Sequence, residues 1–322
     1  MFVSMFPMLP SDVSSDEMSN TDQALLPHEV SDIELPPDPA DDEELDCDEF
    51  PELPDAIDHD ESPDVLHTID FDEFPEVSDD GLDDINEFRD QAPATTLSSS
   101  SLGDDMHLVG EYYSPPRVVP VAAASGYRAM HSHDLLTGHD FSKAETRRTS
   151  LKVLLQLLFL ILTPPYTAFS PLQSMWNYPR LRPEQVRQII AEGMVYWNHA
   201  LDCCWAQYEQ HRFFVLEHPM GASSWQMPRT RELMAADGVW SCVFDMCCFG
   251  LQTPITGQPM RKRTRILTNS AAIRAALQNR RCKPGTHVHR IIEGSEGGIK
   301  LARHAQCWPP ALCEALVSAM KP

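Results

Sequence analysis

The chain has 322 residues, with 48 acidic side chains against 25 Lys and Arg and a formal charge of −23, a length that suits one or two domains. That average hides a division: residues 1–105 hold 33 acids and one base, Arg89, whereas residues 106–322 hold 15 acids and 24 bases, a charge of +9. A uniformly acidic enzyme and a chain folded throughout are both excluded, because the first third lacks the apolar surface to offset its ordering entropy. The rest is long enough for one full core.

The first 105 residues read as a disordered acidic arm of acid, Pro and isolated apolar residues, closing on the Ser98 to Ser101 linker. One unit recurs, Asp48-Glu49-Phe50-Pro51-Glu52 and Asp72-Glu73-Phe74-Pro75-Glu76. Two copies are too few for a solenoid. Spaced aromatics (Phe50, Phe71, Phe74, Phe88) suit a docking string for a protein partner, or an intramolecular mimic of nucleic acid that covers the basic part; a plain solubilising tail is the bland alternative. The nine cysteines occur singly or as neighbours, which points to a reducing, intracellular compartment rather than a disulfide framework, with the nucleus open as a location. The longest apolar stretch, Val153 to Leu162, is about half of what a membrane span needs, and no membrane association is expected.

In residues 106–322 the expected elements alternate. Val109 to Tyr113 is a strand, stopped by Ser114-Pro115-Pro116, with a turn of helix over Val121 to Ser125. Arg128 to His133 is a second strand ending at Asp134. A helix runs from Ser142, as its cap, to Leu155, with Glu145 completing a capping-box pattern. Phe159 to Leu162 is an apolar strand. Pro183 opens a long helix whose Val186, Ile189, Ile190, Met194, Trp197, Leu201, Cys204 and Tyr208 form one apolar stripe. Then come strand Phe213 to Leu216, helix Arg229 to Ala236, strands Val239 to Phe244 and Thr264 to Thr268, helix Ser270 to Asn279 and helix Pro309 to Met320. Unalternating apolar strands between helices predict an α/β, Rossmann-type, parallel-rich sheet covered on both faces. Chemistry in such sheets gathers at the carboxyl ends of the strands, here Ser114, Asp134, Thr163 to Tyr166 and Glu217.

Two of these ends carry a resemblance. Thr163-Pro164-Pro165-Tyr166-Thr167-Ala168-Phe169-Ser170 and, about fifty residues on, Phe214-Val215-Leu216-Glu217-His218-Pro219 are similar to two motifs of the cytosine-5 DNA methyltransferases, Pro-Pro-Cys followed by Phe-Ser and an apolar strand ending in Glu-Asn-Val. Phe249-Gly250-Leu251-Gln252 with Arg261-Lys262-Arg263 looks like a stretched form of a further element, and Gln306-Cys307-Trp308-Pro309-Pro310 resembles the closing one. The similarity spans about 110–320, and residues 250–305 would be a reduced target-recognition insertion. Tyr113 to Arg117 also resembles the start of methyltransferase-like segments in retroelement polyproteins. The resemblance implies an S-adenosylmethionine-dependent fold in which the Pro-Pro-Cys thiolate attacks C6 of an extruded cytosine and the Glu binds the base edge.

Here Glu217 keeps the Glu position, but Tyr166 stands where the family has its thiolate. A phenol of ordinary pKa near 10 stays protonated at neutral pH and is the poorer nucleophile, so cytosine-5 transfer by that route is lost. An alternative reading takes Thr163-Pro164-Pro165-Tyr166 as an approximation of the motif of amino-methyltransferases, in which the aromatic ring stacks on the flipped base; Thr163, Pro165, Tyr166 and Glu217 are then the candidate catalytic residues. For S-adenosylmethionine the candidates are Ser114, Asp134 at the ribose and Asp140 beside the adenine, although no glycine-rich turn follows the first strand. Arg261, Lys262, Arg263 and Arg265 are the expected phosphate contacts, on DNA rather than RNA. Cys282, His287, His289, His304 and Cys307 match no strong zinc spacing, and no metal site is assigned. The expected function is thus a methyltransferase-like protein without catalysis that binds nucleic acid, the alternatives being an active amino-methyltransferase and an interaction protein acting through its arm.

Overall fold

The computed structural model describes residues 108–320, without the side chains of residues 128–131; the acidic arm and its two Phe-Pro units lie outside the described residues. Six strands form the main sheet: β1 (Leu108–Tyr112), β2 (Arg128–His133), β3 (Phe159–Leu162), β4 (Phe213–Pro219), β5 (Trp240–Asp245) and β6 (Arg263–Thr268). Their order is β2-β1-β3-β4-β6-β5. β2, β1, β3 and β4 are parallel, while β6 runs antiparallel between β4 and β5. The expectation of a parallel-rich α/β sheet is met, with the reversed β6 as an addition that sequence pattern did not reveal. Strand order reverses between β1 and β3, so the fold places its crevice outside the carboxyl ends of those two strands.

Helices cover both faces. On one side α1 (Val118–Ala124), α5 (Ala271–Leu277) and α7 (Pro310–Ala319) pack against Val109, Phe159, Ile161, Val215, Phe244 and Ile266. On the other, α2 (Ala144–Leu154), α3 (Pro183–Glu209) and α4 (Pro228–Ala235) pack against Tyr112, Leu160, Leu162, Phe214 and Leu216. Alternate residues of β1, β3, β4 and β6 thus go to opposite cores. The stripe on α3 does what its spacing requires: Ile190, Trp197, Leu201 and Cys204 are buried, and Val186, Ile189, Met194 and Tyr208 are half-buried against that core. A short helix α6 (Leu301–His304) and a hairpin of β7 (Ser295–Glu296) and β8 (Ile299–Lys300) precede α7.

Three expectations need correction. Ser142 does not cap α2, whose N-cap is Lys143; Ser142 instead gives its N–H and hydroxyl to Asp140 at 3.1 and 2.7 Å, an Asx-type turn that competes with capping. β4 does not stop at Leu216 but runs through Pro219, because β6 pairs Glu217 with Ile266 and His218 with Arg265. Residues 250–305 do not form one insertion, since β6 and α5 within that stretch belong to the main sheet and its cover. No helix among the described residues is long and apolar enough to cross a membrane.

Candidate functional site

The loop after β3 is held by close packing and one buried histidine. Gly193 of α3 lies so near this loop that a Cβ there would come 2.6 Å from the Ala168 methyl and 3.1 Å from the Phe169 ring. His218 is buried against Trp197, ring centroids 4.2 Å apart. The Pro164 carbonyl can only accept, so Nε2 of His218 donates to it at 3.0 Å and Nδ1 accepts from Ser224 Oγ at 2.8 Å. Burial pushes this imidazole down to about 3, with Lys262 adding to the fall and the Pro164 bond opposing it. His218 is therefore neutral and fixed in one tautomer, and it ties the Thr163 to Tyr166 loop to β4. Nothing in the sequence pattern marks it for this part.

Tyr166, Glu217 and Lys262 converge. Lys262 Nζ lies 3.9 Å from Glu217 Oε1 and 5.3 Å from the centre of the Tyr166 ring, so one ammonium links the carboxylate and the aromatic face. Both charged side chains are nearly buried, at 12% and 5% exposure. Glu217 Oε1 has no hydrogen-bond donor within reach among the described residues. Burial raises its pKa above the ordinary carboxylate value, with Lys262 and then Arg117 opposing. Thr163 gives its hydroxyl to the Tyr113 carbonyl at 3.3 Å, and Pro165 is exposed. Lys262, expected at phosphates, belongs to this group instead.

The carboxyl end of β1 is filled by the chain itself. Glu111 is buried on β1, and its Oε2 accepts from the backbone N–H groups of Arg117, Val118 and Val119 at 2.9, 3.0 and 3.3 Å, taking up the donors at the start of α1. A helix start at the carboxyl end of a parallel strand is otherwise a natural place for a ligand's anionic group. Desolvation nevertheless raises the Glu111 pKa overall. Tyr113 takes the turn conformation that glycine usually supplies, with φ 65°, at a cost of roughly 1–2 kcal/mol for a residue with a Cβ. Its ring packs on Phe141 at 4.3 Å, and its hydroxyl donates to the Tyr196 carbonyl at 3.2 Å and lies against Nδ1 of buried His199, whose Nε2 meets Ser150 Oγ at 3.0 Å. Beside it Tyr112, His133 and His139 stack in sequence at 4.9 and 3.9 Å.

The three residues expected at S-adenosylmethionine have local partners. Ser114 is buried, and its hydroxyl donates to the Pro115 carbonyl at 3.0 Å. Asp134 caps the turn Leu135–Thr137, accepting from Leu136 N–H at 2.9 Å. Asp140 accepts from Ser142 and pairs with Lys143 at 3.5 Å, which holds its pKa below the ordinary value.

The basic strip is not a row of solvated cations. Arg261 is exposed, but Arg263 donates to buried Asp245 at 3.0 Å and Arg265 lies 5.6 Å from the Trp225 ring. The surplus of positive charge is still local. Residues 246–309 carry eleven bases and two acids, and the rest of 106–322 carries thirteen of each. The solvent-facing members are Arg261, Arg274, Arg280, Arg281, Lys283, Arg290, Lys300 and Arg303.

One metal-ligand geometry exists among the described residues. Cys247, Cys282, His287 and His289 bring their ligating atoms within 4.8 Å of one another. His304 and Cys307 lie apart from it, on the Gln252 carbonyl and near Arg117. No family model matches the sequence, and no curated protein matches it.

Proposed function

We propose that this chain is a methyltransferase-like domain of cytosine-5 DNA methyltransferase ancestry that no longer transfers methyl groups and binds nucleic acid through its positively charged segment 246–309. The observation that carries this reading is the self-filled crevice. The donors at the start of α1 go to Glu111, and the space over β1 and β2 is taken by Tyr113, Phe141, His133 and His139. A cofactor would have to displace side chains that are stacked and hydrogen-bonded to buried partners. Beside it, Tyr166 offers no thiolate, and Lys262 covers Glu217 where the family's base edge would bind. The four-strand order β2-β1-β3-β4 and the motif positions at the ends of β3 and β4 support the ancestry.

The segment 246–309 supports the partner, because its surplus of exposed cations supplies the phosphate-directed, salt-dependent term of binding. The test is a pair of titrations on the full chain. Saturating S-adenosylmethionine produces no thermal shift. A ligand at a hundred times its Kd would add about 2.7 kcal/mol, roughly 5–10 °C for a domain of this size, and a shift of that order refutes the reading. A labelled DNA duplex binds with an affinity that falls steeply with salt; absence of binding at low salt refutes the nucleic-acid half.

A further inference from the structure

The chain from residue 278 to 294 has no helix or strand apart from a single bridge from Arg290 to Met260. None of its side chains is fully buried. Ordered loops of this length without a core of their own are uncommon and need some other restraint. Between residues 278 and 290 the only side chains withdrawn from solvent are Cys282, His287 and His289. All three turn towards Cys247, on the turn Met246–Phe249 that follows β5.

Their closest distances are near those between the ligands of one tetrahedral ion. Cys247 Sγ lies 3.4 Å from His289 Nε2, Cys282 Sγ 3.5 Å from His287 Nε2, and the two Nε2 atoms are 2.9 Å apart. With Zn–S near 2.3 Å and Zn–N near 2.0–2.1 Å, a tetrahedron has S···N edges of about 3.6 Å and an N···N edge of about 3.3 Å. The alternation of His287, Val288 and His289 puts both imidazoles on one side and leaves Val288 exposed. The loop is also braced beside the cluster. The buried Asp245 carboxylate accepts the Cys282 N–H at 2.8 Å, pairs with Arg281 at 3.6 Å and accepts from Arg263 at 3.0 Å. That contact fixes the backbone of one ligand, as supporting contacts around metal sites do.

We propose that Cys247, Cys282, His287 and His289 bind a structural zinc ion. Two thiols give up their protons to solvent on coordination and two imidazoles bind as neutral donors, so the zinc centre carries no net charge. The ion cross-links the turn after β5 to the loop that bears Arg280, Arg281, Lys283 and Arg290, and it supplies the restraint that buried apolar side chains do not. The proposal stands independently of nucleic-acid binding. Sequence spacing hid it because the fourth ligand, Cys247, lies 35 residues before Cys282 and sits in a stretch that reads as a strand exit.

The full chain, produced with zinc in the medium and purified under reducing conditions without chelator, is expected to hold one zinc ion per molecule by elemental analysis. Replacement by Co²⁺ is expected to give the visible bands of a tetrahedral ion with a thiolate charge-transfer band. C282S and H289N lower the zinc content at least about tenfold, whereas C307S and H304A keep it. A wild-type chain with neither zinc nor the cobalt spectrum overturns the proposal, as does full zinc retention in C282S and H289N or equal loss in C307S and H304A. If the ligand variants do not fold, the cobalt spectrum of the wild-type chain decides alone: an octahedral spectrum without thiolate charge transfer refutes the site.

Discussion

Replacing His218 by Gln tests how the loop bearing Tyr166 is held. His218 and His199 are both buried, each with its imidazole pushed down to about 3, against an ordinary value near 6.5 in the unfolded chain. As pH falls below about 6.5 the unfolded chain takes up a proton at each position and the native state does not, so stability present at neutral pH is lost on acidification. Each buried histidine contributes a slope approaching about 1.4 kcal/mol per pH unit and has cost roughly 2 kcal/mol by pH 5. Glu111 and Glu217, with raised pKa values, act in the opposite direction: their contribution is present at low pH and lost as pH rises through their native values. Their effect cancels to first order when H218Q is compared with the wild type. Urea unfolding followed by tryptophan fluorescence, between neutral pH and about pH 5, is expected to show a loss of stability smaller by about 2 kcal/mol in H218Q, an average of about 1 kcal/mol per pH unit, whatever the variant's stability at pH 7. Equal slopes in the two proteins would mean that His218 is protonated in the folded chain, and the assignment of its donor and acceptor bonds would fail.

Further expectations follow from the same packing. E111A strands three backbone N–H groups at the start of α1 and is expected to cost about 3 kcal/mol, a fall of roughly 6–12 °C in Tm, while E111Q, which keeps an acceptor, loses less than half of that; equal loss in both would show that the bonds do not matter. G193A forces a Cβ to within 2.6 Å of Ala168 and should destabilise by about 1–3 kcal/mol through overpacking, whereas an unchanged or raised Tm contradicts the close contact of α3 with the Tyr166 loop. In DNA binding, removal of exposed Arg280, Arg281 and Lys283 together should reduce the slope of log K against log salt by nearly one per charge lost. K262M, which removes a nearly buried ammonium, should leave that slope almost unchanged, and a larger effect of K262M than of the triple variant reverses the assignment.

Much of the architecture was legible because it rests on patterns of two and three to four residues. The apolar runs at 159–162 and 213–216 and the stripe from Val186 to Tyr208 can satisfy themselves only as covered strands and a packed helix. The direction of β6 was not legible. A short apolar strand looks the same whichever way it runs, and only the pairing of Glu217 with Ile266 fixes it. The meeting of Tyr166 with the segment after Leu216 followed from motif order, but the part played by Lys262 did not, since a lysine between two arginines reads as a solvated charge until a buried carboxylate is found beside it. Glu111 was hidden for a related reason. An acid in a strand announces a partner, yet nothing in the sequence says that the partner is the backbone of the next helix. Asp134 and Asp140 show the converse, because short acids at strand and loop ends find their own backbone first.

Tyr113 in its left-handed conformation bears on how such a domain changes over generations. Putting glycine there would relieve the backbone, but it would also strip Phe141 of its stacking neighbour and leave Nδ1 of His199 without its phenol deep in the protein. Truncating Phe141 or His199 first leaves a void beside the Tyr113 ring. An open crevice is therefore reached only by several coordinated replacements, with Glu111 among them, and each step taken singly lowers fitness of the fold before any ligand can compensate. The packing around this one residue therefore couples three side chains, so that a change at one is a change at all of them.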